Sequence, residues 1–143
     1  MSKIIIISGG FDPIHVGHIR MIEAAAKLGE VTAVVNSDNW LLRKKGYIFM
    51  PYEERCEVLQ SIKGVTQVSG VDDTDKTVCE ALRRLKPDMF GNGGDRTDSN
   101  TPEQAVCEEL GIKMVWSLGG GKVQSSSDLV TKNRTGATTW PVH

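Results

Sequence analysis

An apolar run, Ile4 to Ile7, passes through Ser8, Gly9 and Gly10 into a helical pattern from Ile19 to Leu28, and this alternation of strand and helix then repeats. Strand signals fall at Ile4–Ser8, Val31–Val35, Val65–Val71, Met89–Phe90 and Ile112–Leu118. Helical signals fall at Gly17–Leu28, from Pro51 along the stripe Tyr52, Cys56, Leu59 and Ile62, at Thr77–Leu85 ahead of Pro87, and from Thr101 to Leu110. Pro51 suits a first helical position, Thr101-Pro102-Glu103-Gln104 forms a capping box, and Gly111 stops the helix that follows. Ser37 to Met50 reads as a polar, basic loop, and Ser125 to Ser127 cap a last helix, Asp128 to about Lys132. The alternation selects an α/β fold, a Rossmann-like three-layer arrangement with a parallel five-stranded sheet and helices on both faces. Crossovers in such a sheet are right-handed, and ligands sit at the carboxyl ends of the strands.

At 143 residues the chain makes one domain, 1–132, with a C-terminal tail, 133–143, that shows no periodicity. A net charge of −1 provides no global field for nucleic acid or a membrane surface. No apolar run approaches the roughly 20 residues of a membrane span. Ile4–Ile7 is too short for a signal-peptide core. Cys56, Cys79 and Cys107 are widely spaced and lie beside apolar residues in helical patterns, as buried free thiols in a reducing cytoplasm would.

The string Gly9-Gly10-Phe11-Asp12-Pro13-Ile14-His15-Val16-Gly17-His18 joins the first strand to the first helix. Its glycines let the backbone turn sharply and approach a ligand closely. His15 and His18, three residues apart, share one side of the first helical turn. Unpaired N–H groups and the positive dipole end make that helix start a phosphate site. Asp12 fixes the turn before Pro13. As metal ligands, Asp12 and the histidines lack a fourth member, so no protein metal site is expected.

This string resembles the HxGH signature of the nucleotidyltransferase superfamily, and within it the glycerol-3-phosphate cytidylyltransferase group and the adenylyltransferase domain of ADP-heptose synthase. The resemblance runs from roughly Ile4 to Lys132. It implies transfer of AMP or CMP from ATP or CTP, with Mg²⁺, to a small phosphorylated acceptor such as a sugar or polyol phosphate, with release of pyrophosphate. It also implies a cytoplasmic homodimer without nucleic-acid or membrane partners. An acceptor phosphate is largely ionised at neutral pH, so such a reaction needs positioning and charge stabilisation rather than a general base.

By the same resemblance, His15, His18, Lys44 and Arg55 form the catalytic set. Gly9, Gly10, Phe11, Asp12, Gly17, Lys45, Asp95, Ser125, Ser126 and Ser127 form the nucleotide-binding set. Lys44 or Lys45, within Arg43-Lys44-Lys45, is the lysine that reaches the phosphates; the alternative is a solvated basic loop. Arg55 matches an arginine that braces the phosphate site, the alternative being a surface pair with Glu54 or Glu57. Asn92 stands where the ADP-heptose synthase branch usually carries lysine, ahead of Gly93-Gly94-Asp95. Gly119-Gly120-Gly121-Lys122 does not make a P-loop, because Trp116 and Val123 break its pattern. Arg134 to Thr139 echoes a cytidylyltransferase signature but lies beyond the last helix. Pantetheine-phosphate and flavin adenylyltransferases share the scaffold, as does a non-catalytic nucleotide sensor. A class I aminoacyl-tRNA synthetase needs a longer chain than this.

Overall fold

The computed structural model describes residues 3–93 and 101–119. Five strands and five helices follow one another as β1 Ile4–Gly9, α1 Val16–Ala26, β2 Glu30–Val35, α2 Asp38–Lys45, α3 Tyr52–Gln60, β3 Val65–Gly70, α4 Cys79–Leu85, β4 Met89–Gly93, α5 Thr101–Leu110 and β5 Lys113–Leu118. The strands form one parallel sheet in the order β3-β2-β1-β4-β5. From β1 the chain builds outward through β2 to β3, then crosses back to place β4 on the other side of β1. The order therefore reverses between β1 and β4, and a ligand crevice belongs at their carboxyl ends.

Successive side chains of a strand point to opposite faces, so each central strand feeds two cores. Ile5 and Ile7 join Val31, Ala33 and Val35 against Met21, Ile22 and Ala25 of α1 and Leu59 of α3. Ile6, Val34 and Phe90 pack on the opposite face against Ala81 and Leu82 of α4 and Val106 and Cys107 of α5. Helices thus cover both sides of the sheet, as the alternation predicts. Cys79 and Cys107 are buried free thiols of the second core and Cys56 is a half-buried one.

The stretch expected to be a loop, Ser37 to Met50, contains a helix instead. Ser37 caps α2, its Oγ accepting from the Trp40 N–H at 3.0 Å. Asp38 sits in the first turn, Arg43, Lys44 and Lys45 in the last, and Gly46 ends the helix at φ 81°. Every local signal for a helix is present, but only Leu41 is buried, so the apolar stripe that announces a helix is missing. Pro51 precedes α3 as its cap residue rather than opening it. The fourth strand runs past Phe90 to Gly93, with Asn92 buried in it and its Nδ2 donating to the Val115 carbonyl oxygen at 3.4 Å. That contact lies where the pairing of β4 with β5 shifts register, so the departure from lysine at Asn92 fills a sheet irregularity. The helix expected at 128–132 and the tail 133–143 lie outside the described residues.

Candidate active site

The carboxyl ends of β1, β2 and β3 carry the polar groups of the site. Leaving β1, the chain passes Gly9 and Gly10 to Phe11, which takes the left-handed conformation at φ 52° with its ring buried. The tight turn therefore falls on Phe11, not on either glycine. Gly10 is required for another reason. A Cβ there would lie 2.9 Å from Leu41 Cδ2 and 3.4 Å from Trp40 Cζ3, so the missing side chain lets α2 pack on the turn. At Gly9 a Cβ would meet only the Phe11 ring, at 3.6 Å.

His15 and His18 form a reciprocal cap at the start of α1. The Gly17 N–H donates to His15 Nδ1 at 3.0 Å, and the His15 N–H donates to His18 Nδ1 at 3.1 Å. The two rings stack with centroids 4.0 Å apart and 26° between planes, and the Phe11 ring tilts against His18 at 4.9 Å. A Cβ on Gly17 would approach His15 Cε1 to 2.8 Å, so glycine is the residue that admits the His15 ring. Three of the four positions of the His15-Val16-Gly17-His18 string are explained by this packing.

Its chemical consequence concerns the proton. An Nδ1 that accepts from a backbone N–H cannot carry a hydrogen, so each neutral ring presents an Nε2–H donor. Burial, and secondarily the neighbouring His15, lowers the His18 pKa from 6.5 to about 3. His18 is therefore a neutral donor over the physiological range. The helix-start amides are largely used internally: Gly17 N–H on His15 Nδ1, His18 N–H and Ile19 N–H on the His15 carbonyl oxygen.

Asp12 is buried and faces inward. Its carboxylate accepts from the Phe49 N–H at 2.8 Å and from the Met50 N–H, and pairs with Lys45 Nζ at 3.1 Å. Lys45 also donates to the Asp12 carbonyl oxygen at 2.6 Å. Asp12 and Lys45 together fasten the segment after α2 to the β1 turn. Lys44, on the exposed side of the same helical turn, holds its ammonium 4.6 Å above the Trp40 ring.

Arg55 is fully buried, which rules out a surface pair with a glutamate. Its guanidinium donates to four acceptors: the carbonyls of Met50 at 2.9 Å, Gly10 at 2.7 Å and Asn36 at 2.8 Å, and Asp38 Oδ1 at 2.8 Å. Only a planar, multiply donating group satisfies acceptors spread over three segments. Arg55 braces the β1 turn through these bonds. Asn36, Asp38 and Asp73 are the polar members of the site that sequence reasoning passed over. Asn36 and Asp73 are buried, and the Asn36 Nδ2 donates to Asp73 Oδ2 at 3.1 Å. The available signal was the polar triplet Asn36-Ser37-Asp38 directly after a strand, a helix-start pattern. Asp95, Ser125, Ser126 and Ser127 lie outside the described residues.

Fold, switch point and histidine pair define a class that comparison with known proteins bears out. The profile of the Cytidylyltransferase-like family matches residues 6–120, so the chain belongs to that family of nucleotidyltransferases. Among its relatives are the bifunctional protein HldE of Desulfatibacillum aliphaticivorans, 31% identical over 128 residues, and the FAD synthase of Ferroglobus placidus, 32% identical over 114. The matches take in 87% and 78% of this chain but 26% and 72% of the respective relatives, so the chain spans about a quarter of HldE. Among solved structures, a lipopolysaccharide core biosynthesis protein from Thermoplasma volcanium superimposes with a TM-score of 0.69 at 26% identity, covering 82% of this chain and 97% of that one. A putative nicotinate-nucleotide adenylyltransferase from Vibrio parahaemolyticus, at 19% identity and a TM-score of 0.61 over 95% of this chain and 89% of that one, shares the fold. No helix among the described residues is long and apolar enough to cross a membrane.

Proposed function

We propose that this chain transfers AMP or CMP from ATP or CTP to a small phosphorylated acceptor. An acceptor phosphate oxygen attacks the α-phosphorus, the bond from that phosphorus to the β-phosphate oxygen breaks, and pyrophosphate leaves with the electron pair. The observation that carries the reading is the stacked histidine pair at the β1 switch point, with both Nδ1 atoms engaged by backbone N–H groups, which sets the Nε2–H tautomer of each neutral ring. Neutral donors of that kind suit the non-bridging and leaving oxygens of the triphosphate, where charge accumulates in the transition state. Lys44 is the lysine of α2 assigned to the phosphates. Lys45 and Arg55 act one layer behind, holding the turn through Asp12 and Gly10.

Among the described residues no group of three or more His, Cys, Asp or Glu side chains could hold a metal ion. Asp12, the acid nearest the histidines in sequence, already receives two N–H groups and an ammonium. In this reading Mg²⁺ enters as part of the nucleotide substrate, bound by phosphate oxygens and water. A second reading, flavin adenylyl transfer, is favoured by the FAD synthase relative, of which the match takes in 72%. In that reading the acceptor is a flavin phosphate rather than a sugar phosphate.

The test is pyrophosphate release with Mg²⁺, crossing ATP and CTP against sugar phosphates, polyol phosphates and riboflavin 5′-phosphate. One productive pairing settles base and acceptor together. With that pairing, His18→Ala should retain nucleotide binding and lose turnover by about 10²–10³-fold, the usual effect of deleting a transition-state donor. An unchanged rate in the variant would remove the histidine pair from the chemistry.

A further inference from the structure

A residue of the β3 loop grips α2 at both ends. Asp73 follows β3 and is buried. At the start of α2 its Oδ2 accepts from the Ser37 N–H at 2.8 Å and its Oδ1 from the Ser37 hydroxyl at 2.7 Å, while that hydroxyl oxygen caps the Trp40 N–H. At the end of α2, Arg43 Nη2 donates to the Asp73 carbonyl oxygen at 2.7 Å and lies 3.9 Å from its carboxylate. Between these grips, Trp40 and Leu41 pack where Gly10 has no side chain. Asp73 also joins the Arg55 network through Asn36, whose Nδ2 donates to Asp73 and whose carbonyl oxygen accepts from Arg55.

An exposed eight-residue helix with a single buried side chain, Leu41, has little packing to fix its position. Isolated helices of that length are marginal in water. The orientation of α2 therefore depends on its polar ties, and Asp73 supplies ties at both ends. We propose that Asp73 is a positioning residue, which sets the place of Lys44 at the substrate phosphates by fixing α2 to the end of β3. This assignment rests on the nucleotidyl-transfer reading above and adds a residue from a strand end that contributes no group to the histidine turn.

The measurement is the dissociation constant of the Mg²⁺ complexes of ATP and CTP for the wild-type chain, Asp73→Asn, Lys44→Ala and the double variant. Asparagine keeps the volume of Asp73 but removes its charge and one acceptor oxygen, so the Ser37 N–H and hydroxyl can no longer each donate to an oxygen of their own. Each single variant should weaken binding by about tenfold, a change of about 1.4 kcal/mol. The double variant should bind within about twofold of the weaker single variant, because both substitutions remove one interaction. A structural role apart from Lys44 would instead multiply the two effects, and that outcome overturns the proposal, as does wild-type affinity in Asp73→Asn. Should Asp73→Asn fail to fold by circular dichroism, Ser37→Ala removes the hydroxyl arm of the same tie from the helix side and must show the same non-additivity with Lys44→Ala. A wild-type chain that binds neither nucleotide rejects the nucleotidyl-transfer reading itself, and this proposal with it.

Discussion

Each imidazole of the pair uses Nδ1 on a backbone N–H, which sets the Nε2–H tautomer of the neutral ring. For His18 this has a pH signature. The unfolded chain titrates this ring near 6.5 and the folded chain near 3, so between those values the unfolded state binds a proton that the native state does not. The contribution of His18 to stability is complete above 6.5 and declines as pH falls from 6.5 towards 3. In an NMR titration its ring resonances should stay fixed from about pH 8 to 5, with the Nε2–H tautomer throughout, given a folded pKa of about 3. A midpoint near 6.5 would show that the ring is hydrated and that the reciprocal cap does not hold it. Asp12 carries a lesson of the same scale. The resemblance places it in the nucleotide-binding set and its position before Pro13 makes it a turn residue; in the structure its carboxylate is engaged by Phe49, Met50 and Lys45, so it fastens the turn.

At the scale of elements, Arg55 links segments that the chain separates. From α3 it reaches the β1 turn at Gly10, the end of β2 at Asn36, the start of α2 at Asp38 and the segment at Met50. Lysine in its place would keep the charge but supply three donors from a single point, leaving at least one of the four acceptors stranded. Arg55→Lys should therefore cost about 1–3 kcal/mol in a urea titration for a buried acceptor left unsatisfied, and weaken nucleotide binding with it. An unchanged urea midpoint would mean that water fills the gap and that the brace is dispensable. Helix α2 shows why such elements escape sequence reading. Its cap, its charge order and Gly46 all favour a helix, but hydrophobic periodicity outweighs those signals, and α2 buries one side chain.

For the whole molecule, the order β3-β2-β1-β4-β5 puts the strand that ends in the histidine turn at the centre of the sheet. Ile5, Ile6 and Ile7 of β1 are fully buried, whereas edge strands β3 and β5 expose part of their length. Amides of β1 and β2 should thus exchange hydrogen slowest, and those of β3 earlier; equal protection at centre and edge would contradict a single cooperative sheet. The histidine turn is then carried by a strand whose core residues are fully buried.

The strand–helix alternation, the two-sided parallel sheet and the histidine string were legible in the order of residues, because periodicity and capping are properties of neighbours a few positions apart. The site's wiring was not. Asp73 meets Ser37 from 36 positions away and Arg55 meets Gly10 from 45, and no local pattern encodes which charged side chain turns inward. Likewise Gly10 is needed for the approach of Leu41 and Trp40, a clash that exists only once α2 lies against the turn. The sequence by itself determined the fold class and the place of the histidine pair. Tertiary packing decided which polar groups turn inward and brace the others, because burial makes each inward charge seek a partner wherever the fold supplies one.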